Sequence, residues 1–224
     1  MTSSSPPDFI YQPDTSPIRI IFEDDAIVVV DKPPNLLTTP GRGPDKQDCL
    51  YSRLLLKYPN LRVVHRLDMA TSGLVIFALS HQAQVAMGKL FEQRLIHKTY
   101  IAIVSGRLER QAGEVDLPLI CDWENRPIQK VCHQTGKSAQ TQYRVLKYDQ
   151  VGGSTRVQLE PLTGRSHQLR VHMLSLGHPI VGDALYHSGY SQGEPSRLLL
   201  HAHKVEFIHP LTEKPVAFIS AVPF

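Results

Sequence analysis

Apolar residues follow two different spacings along the chain, and these spacings predict both strands and helices. The segments 18–22 and 26–30 are β-branched runs separated by three acidic residues, a pattern typical of a β-hairpin. The uninterrupted apolar run at 74–79 predicts a strand that is buried on both faces. Further strand-like segments lie at 100–104, 141–148, 155–162, 198–207 and 216–219.

Two segments have the apolar spacing of a helix, and each follows a polar residue that can cap it. Asp48 is the predicted N-cap of a short helix that ends before Pro59. The apolar positions of this helix are Leu50, Leu54 and Leu55. Ser80 is the predicted N-cap of a longer helix with one apolar stripe. That stripe consists of Ala83, Ala86, Met87, Leu90 and Phe91.

A third helix is predicted over 167–176, with Ser166 as its N-cap and Gly177 at its end. One of its faces combines charged and apolar residues. That face consists of His167, Arg170, Val171 and Leu174. Because an isolated buried charge is costly, an inward-facing Arg170 implies a carboxylate partner, and we expect a bidentate pair with Asp68.

The strands outnumber the helices, and segments of turn length join many of them. The sequence therefore predicts an α+β fold, with a mixed, largely antiparallel sheet on which the helices pack. We expect one domain over 18–224. A flexible or draped leader rich in proline and serine precedes it at 1–17.

The amino-acid composition favours a folded protein without membrane-spanning helices or a disulfide framework. Of the 224 residues, 42% are hydrophobic and 20% are charged, which argues against disorder. No apolar run approaches the ~20 residues of a membrane-spanning helix, and the N-terminus lacks the regions of a signal peptide. The three cysteines are too few and too irregularly spaced for a disulfide framework. These features predict a cytoplasmic protein with no membrane partner.

The net charge of +3 is unevenly distributed. The first 25 residues carry five acids and one base, whereas residues 123–172 carry eight bases and three acids. The stretch 123–172 is therefore the candidate anion-binding face. A solvated strand surface would have the same composition.

The densest group of polar residues precedes the buried strand, in the sequence HRLDMATSGL at 65–74. Asp68 follows Arg66 and precedes a Thr-Ser-Gly turn, so its carboxylate could be a nucleophile, a general base or the cap of the turn. A second group, GRSHQLRVH at 164–172, contains the arginine expected to pair with it. From these residues alone, a catalytic carboxylate and a structural ion pair both stay open.

Together with HPIVGD at 178–183 and LLLHA at 198–202, these two motifs resemble the RluA-type pseudouridine synthases. The matches keep the family's order and extend over about residues 18–210. The resemblance implies the pseudouridine synthase catalytic fold without an S4 domain. It also implies an isomerase that detaches a uracil from its ribose, rotates it and rejoins it through C5, with no cofactor and no metal.

The resemblance assigns roles to individual residues. Asp68 is implied to be the catalytic residue. It is implied to add to C6 of the base, attack C1′ or remove a ribose proton. The implied substrate-binding residues are Arg66, Tyr100, Arg165, Arg170 and Leu200. Among these, Tyr100 stacks on the flipped base, Arg66 fills the gap left in the RNA, and Leu200 lies beneath the base.

Likeness to dual-specificity members, carried by DLPLICDW at 116–123, implies two RNA partners. They are 23S ribosomal RNA and the anticodon stem-loop of tRNA. A flipped uridine needs stacking and charge contacts to offset an unstacking cost of a few kcal/mol. The polar stretch 123–127 is expected to be a loop that grips the RNA stem, with an edge hairpin as the competing interpretation. The protein is expected to be a monomer.

Two other classes of function compete with this interpretation. A non-catalytic module for structured RNA would use the same basic face, although it gains nothing from an acid such as Asp68 near phosphate. A metal-dependent hydrolase would need zinc ligands from His167, His172, His201 and His203, but no cysteine or carboxylate completes a known spacing. The H-x-E and P-C-x-x-C signature of zinc deaminases is absent.

Overall fold

The computed structural model describes residues 10–187 and 197–224, and a ten-stranded sheet dominates this part of the chain. Its strands are β1 (Arg19–Glu23), β2 (Ile27–Lys32), β3 (Arg62–Val63), β4 (Ser72–Ala78), β5 (His97–Ser105), β6 (Ala112–Asp116), β9 (Gln140–Asp149), β10 (Ser154–Pro161), β11 (Leu200–Ile208) and β12 (Pro215–Ile219). A separate hairpin consists of β7 (Leu119–Cys121) and β8 (Gln129–Val131). The helices are α1 (Leu50–Leu55), α2 (His81–Glu92) and α3 (Gln168–Ser175), with a short 3-10 helix at Pro44–Lys46. Among the described residues no helix is long and apolar enough to cross a membrane.

The strand order of the large sheet is β1-β2-β4-β11-β5-β10-β9-β6, with β12 beside β11 and β3 beside β4. Every pairing between these strands is antiparallel except that of β4 with β11. The predicted α+β fold with a mixed, largely antiparallel sheet is confirmed. The sequence pattern does not indicate β3, β6, β7 or β8, because each is too short, at two to five residues, to show the alternation of a strand.

The parallel pair of β4 and β11, here called the seam, joins the two halves of the sheet. Ser72 and Gly73 lie opposite His201 and Ala202 in this pair. A Cβ atom on Gly73 would lie 2.3 Å from the carbonyl oxygen of Ala202, and the φ of Gly73 is +110°. Only glycine fits such a backbone approach. The Thr-Ser-Gly sequence therefore permits two distant strands to meet.

Both faces of the sheet are covered by helices beside the seam. Ile27 and Val29 of β2 belong to the cluster that contains residues of α2. Val28 and Val30 point to the opposite face, into the cluster that contains residues of α1. All four side chains are fully buried. Helix α3 packs with β10 in a third cluster, so each helix covers a different part of the sheet.

The N-cap predicted for α1 is wrong by one residue. The side chain of Cys49 accepts a hydrogen bond from the backbone N–H of Ser52, and this closes a capping box. Asp48 does not cap the helix because its two carboxylate oxygens accept hydrogen bonds from Arg53, at 2.6 and 2.7 Å.

The N-cap of α2 is confirmed, and that of α3 is wrong. Ser80 accepts the backbone N–H three residues ahead at 3.1 Å. Helix α3 starts after His167 rather than Ser166, because His167 adopts a left-handed conformation and its side chain makes no capping hydrogen bond. The inward face predicted for this helix also changes, since Arg170 is buried whereas Leu174 is exposed.

Residues 10–17 of the expected flexible or draped leader lie along the domain. Tyr11 is buried, and its hydroxyl donates to the carbonyl oxygen of Asp48 at 2.9 Å. The same hydroxyl accepts the backbone N–H of Leu37 at 2.9 Å. Residues 1–9 lie outside the described residues.

Candidate active site

Asp68 lies in the loop between β3 and β4, and buried polar side chains hold the backbone of this loop. Lys32 donates to three carbonyl oxygens at 2.8–3.0 Å, one of which belongs to Met69. Burial lowers the pKa of Lys32 to about 7, although the Asp68 carboxylate opposes this shift. The hydroxyl of Thr38 donates to the carbonyl of Leu67 at 2.9 Å and accepts the N–H of Leu67 at 3.1 Å. The backbone is thus fixed on both sides of Asp68.

Arg170 reaches this loop from α3, but it is not bidentate to Asp68. Its Nη1 lies 3.4 Å from Oδ2 of Asp68. Its Nε and Nη2 donate to the two carboxylate oxygens of Asp183 at 2.8 and 2.7 Å. The predicted bidentate pair is therefore wrong. Asp183 takes that place because its loop packs against α3, and its carboxylate is fully buried there.

Two neighbouring strands contribute an aromatic ring and an apolar floor. Tyr100 of β5 lies opposite Ala202 of β11. Two residues further along each strand, Ala102 lies opposite Leu200. Tyr100 and Leu200 line the same cavity as Asp68. Burial, together with the negative charge of Asp68, raises the pKa of Tyr100 above its ordinary value. The phenol hydroxyl therefore keeps its proton at neutral pH.

The residues selected from the sequence all line one cavity of about 570 Å³. They are Arg66, Asp68, Tyr100, Arg165, Arg170 and Leu200. Arg66 and Arg165 are exposed, whereas Leu200 is buried and Asp68 retains 26% of its side-chain exposure. The cavity thus combines a carboxylate, an aromatic ring, an apolar floor and cations near its opening. It can accept a planar base from a chain that carries phosphates.

Four residues that hold the cavity residues in place are not assigned a role from the sequence. They are Lys32, Thr38, Asp183 and Tyr186. Lys32 carries a signal, because it is a charged residue at the end of a buried β-branched run. Asp183 lies within the quoted HPIVGD segment, but the sequence does not say which acid pairs with Arg170. Thr38 and Tyr186 give no signal, since their roles depend on contacts with distant loops.

The histidines of the zinc interpretation are engaged elsewhere. The ring of His201 bonds to the hydroxyls of Ser72 and Ser220 at 2.8 and 3.1 Å. The ring of His172 bonds to the Thr141 hydroxyl at 2.9 Å. Within 10–187 and 197–224, no group of three or more His, Cys, Asp or Glu residues could hold a metal ion. The zinc alternative has no site in this part of the chain.

The polar stretch 123–127 lies in the turn between β7 and β8, a hairpin that forms its own two-stranded sheet, and its expected grip on the RNA stem stays a prediction. Trp123 is 64% exposed, and the guanidinium of Arg126 lies 4.0 Å from the centroid of its indole ring. Asp122 accepts hydrogen bonds from Asn125 and Lys130 at 2.9 and 3.1 Å. The turn therefore displays an aromatic face and a cation to solvent.

The fold and the cavity define an enzyme class that acts on RNA bases. The sequence model of the RNA pseudouridylate synthase family matches residues 26–175, and the chain belongs to this family. It is an isomerase that converts uridine to pseudouridine in RNA. The alternative of a non-catalytic binding module is therefore wrong.

Two bacterial relatives share the name "Dual-specificity RNA pseudouridine synthase RluA". The protein from Vibrio vulnificus is 53% identical over 204 residues, which cover 89% of this chain and 82% of the relative. The protein from Escherichia coli strain K12 is 47% identical over 215 residues, 96% of this chain and 98% of the relative.

Solved structures of two human proteins share the fold. "Human RNA Pseudouridylate Synthase Domain Containing 1" matches with a TM-score of 0.77 and 27% identity, covering 98% of this chain and 87% of that chain. "Human RNA Pseudouridylate Synthase Domain Containing 4" matches with a TM-score of 0.73 and 26% identity, covering 92% of this chain and 88% of that chain.

Proposed function

We propose that this enzyme isomerises uridines in two RNAs, 23S ribosomal RNA and the anticodon stem-loop of tRNA. The relatives from Vibrio vulnificus and Escherichia coli are named for dual specificity, and they align with most of this chain. One cavity can serve two RNAs if the protein reads a shared loop shape and a few flanking bases.

We propose Asp68 as the catalytic carboxylate. The observation that carries this proposal is its place in the cavity, where it is partly exposed beside Arg170 and opposite an aromatic and apolar wall. Addition to C6, attack on C1′ and removal of a ribose proton all require the ionised carboxylate. Nη1 of Arg170 lies 3.4 Å from this carboxylate.

The remaining cavity residues bind the flipped nucleotide in this proposal. Tyr100 offers a ring on which the uracil stacks, and base–aromatic stacking contributes about 1–3 kcal/mol. Leu200 supplies the apolar surface beneath the base. Arg66 and Arg165 are exposed near the opening, where Arg66 would fill the gap in the RNA and Arg165 would contact phosphate.

The hairpin of β7 and β8 is proposed as an additional contact for the RNA stem-loop. Exposed Trp123 and the guanidinium of Arg126 form a stacked pair at its tip, which suits an unpaired base and a phosphate. Binding through such cations should weaken as salt increases, because releasing counterions from RNA is less favourable when the bulk salt concentration is high.

A tritium-release assay tests the proposed function. The protein is incubated with tRNA and 23S ribosomal RNA transcripts that carry C5-tritiated uridine, and released tritium is counted. We expect release from both RNAs, loss of release in Asp68→Asn, and RNA affinity within a few-fold of wild type. Asp45→Asn is the control, since this exposed acid lies in the short 3-10 helix. Activity in Asp68→Asn would refute the catalytic assignment, and release from one RNA would refute dual specificity.

We further propose that the enzyme works in the cytoplasm. All three cysteines are free in the structure, and two of them are only partly buried. Free thiols of this kind suit a reducing compartment. Fractionation of cells that express the protein tests this location, and recovery outside the cytoplasm would contradict it.

A further inference from the structure

A second side chain besides Arg170 approaches the carboxylate of Asp68. Nε2 of His167 lies 4.0 Å from Oδ2 of Asp68. Nη1 of Arg170 lies 3.4 Å from the same oxygen. Both nitrogens thus lie within 4.0 Å of the same carboxylate oxygen, although the His167 distance is longer than a formed hydrogen bond. Hydrogen bonds at active sites are often long in ligand-free proteins and shorten when substrate binds.

Tyr186 is placed to select which nitrogen of His167 carries the proton. The backbone N–H of Gln129 donates to the phenol oxygen of Tyr186 at 2.7 Å. Nδ1 of His167 lies 2.7 Å from that same oxygen. The phenol oxygen accepts the Gln129 N–H and has its own hydrogen to donate, and Nδ1 of His167 lies within reach of it. When the phenol donates to Nδ1, the neutral imidazole carries its hydrogen on Nε2, the nitrogen nearer Asp68.

The position of His167 is costly for an ordinary structural residue. Its φ of 53° and ψ of 17° place it in the left-handed region, which non-glycine residues seldom occupy. Such backbone conformations concentrate at functional sites. Burial lowers the pKa of His167, although Asp68 opposes this shift, so the surroundings favour the neutral ring. A neutral ring with a fixed hydrogen can donate to a carboxylate without taking its proton.

We propose that His167 is a positioning residue, which donates its Nε2–H to Oδ2 of Asp68 and is held in that tautomer by Tyr186. With Arg170 on the same oxygen, the two donors orient the carboxylate so that Oδ1 is the atom presented to the uridine. This inference rests on the proposed catalytic role of Asp68.

The other groups near Asp68 do not duplicate this function. Lys32 lies behind the loop, and its ammonium donates to backbone carbonyls. Tyr100 keeps its proton and offers its ring to the base. The guanidinium of Arg170 gives two of its nitrogens to Asp183. Within the described part of the chain, His167 and Arg170 are the side chains whose ion-pair distances to the Asp68 carboxylate are 4.0 Å or less.

The experiment is the pH profile of kcat/KM, measured by tritium release, for His167→Asn and Tyr186→Phe. Asparagine tolerates the left-handed conformation, and phenylalanine keeps the ring of residue 186. We expect His167→Asn to lower kcat roughly 10- to 100-fold, with KM for RNA changed less than about threefold. The acid limb of the profile should move to higher pH in His167→Asn and less far in Tyr186→Phe, whereas loss of folded protein would lower activity equally at every pH.

His81→Asn serves as the control, because this exposed residue starts α2 and should leave the profile unchanged. A wild-type profile in both site variants would overturn the proposal, while an inactive Asp68→Asn would leave the proposed function intact. Activity in Asp68→Asn would instead refute both the catalytic role of Asp68 and the positioning role of His167.

Nitrogen-15 NMR of histidine-labelled wild-type protein provides a readout that does not depend on the variants folding. We expect the resonances of His167 to report a hydrogen on Nε2 and none on Nδ1, and a mixture of tautomers in Tyr186→Phe. A hydrogen on Nδ1 in the wild-type protein would overturn the assignment.

Discussion

Replacement of Asp183 by asparagine tests whether the buried partner of Arg170 supports the active site. The Asp183 carboxylate is fully buried, and the guanidinium of Arg170 retains only 5% of its exposure. The substitution keeps the shape of the side chain but removes its charge. Arg170 would then face only Asp68, through one nitrogen at 3.4 Å.

The magnitude follows from burial. Removing one member of a buried ion pair costs about 3–5 kcal/mol, because the other charge is left uncompensated. For a chain of this size, 1 kcal/mol corresponds to roughly 2–4 °C in Tm, so we expect a loss of roughly 6–20 °C. Activity should also fall, since an unpaired guanidinium would shift toward Asp68 and disturb its orientation.

Urea denaturation and tritium release measure the two effects. Asp48→Asn is the matched control, since Arg53 binds Asp48 in the same bidentate manner at 2.6 and 2.7 Å while 46% of the Asp48 side chain is exposed. A surface pair of this kind contributes about 0–1 kcal/mol. Equal losses in the two variants would refute the reasoning. The double change Arg170→Met with Asp183→Leu should recover part of the stability, but no activity.

Three further predictions concern the seam, a buried histidine and the hairpin. Gly73→Ala should lower the free energy of unfolding, measured by urea denaturation, by more than about 3 kcal/mol or prevent folding, because its Cβ would meet the backbone of Ala202. Gly88→Ala is the control and should not destabilise the protein, since no atom lies within 4 Å of its Cβ. Burial lowers the pKa of His201 to about 4, so the unfolded state binds more protons below pH 6.5 and stability should fall by about 3 kcal/mol between pH 6.5 and 4. In His201→Gln the slope over this window should be shallower, and an unchanged slope would contradict the assignment. Trp123→Ala should weaken RNA binding by roughly 5- to 100-fold in a filter-binding assay while the melting temperature stays the same; unchanged affinity would exclude the hairpin as an RNA contact.

Local patterns predict the strands near the site and the inward position of Arg170. The β-branched runs correspond to β1 and β2, and Ser80 caps α2 as expected. These features depend on residues close in sequence, where periodicity and capping preferences act.

The remaining features depend on contacts between distant residues. Asp183 replaces Asp68 as the bidentate partner because the loop after α3 folds back, which no periodicity reveals. The left-handed His167 displaces the N-cap expected at Ser166, since a histidine in that conformation has no strong local signal. Tyr186 joins the site only because the hairpin and the loop after α3 meet there.

The two strands of the seam are synthesised at well-separated times. Ser72 and His201 touch across the sheet, yet 129 positions separate them in the chain. A ribosome adding about 5–20 residues per second needs roughly 6–26 s to travel from one to the other. During that interval the nascent chain carries Asp68 but lacks Leu200, and the edge of β4 that will receive β11 has no partner. Until β11 is synthesised, the cavity is incomplete and the edge of β4 presents backbone groups on which another strand could pair.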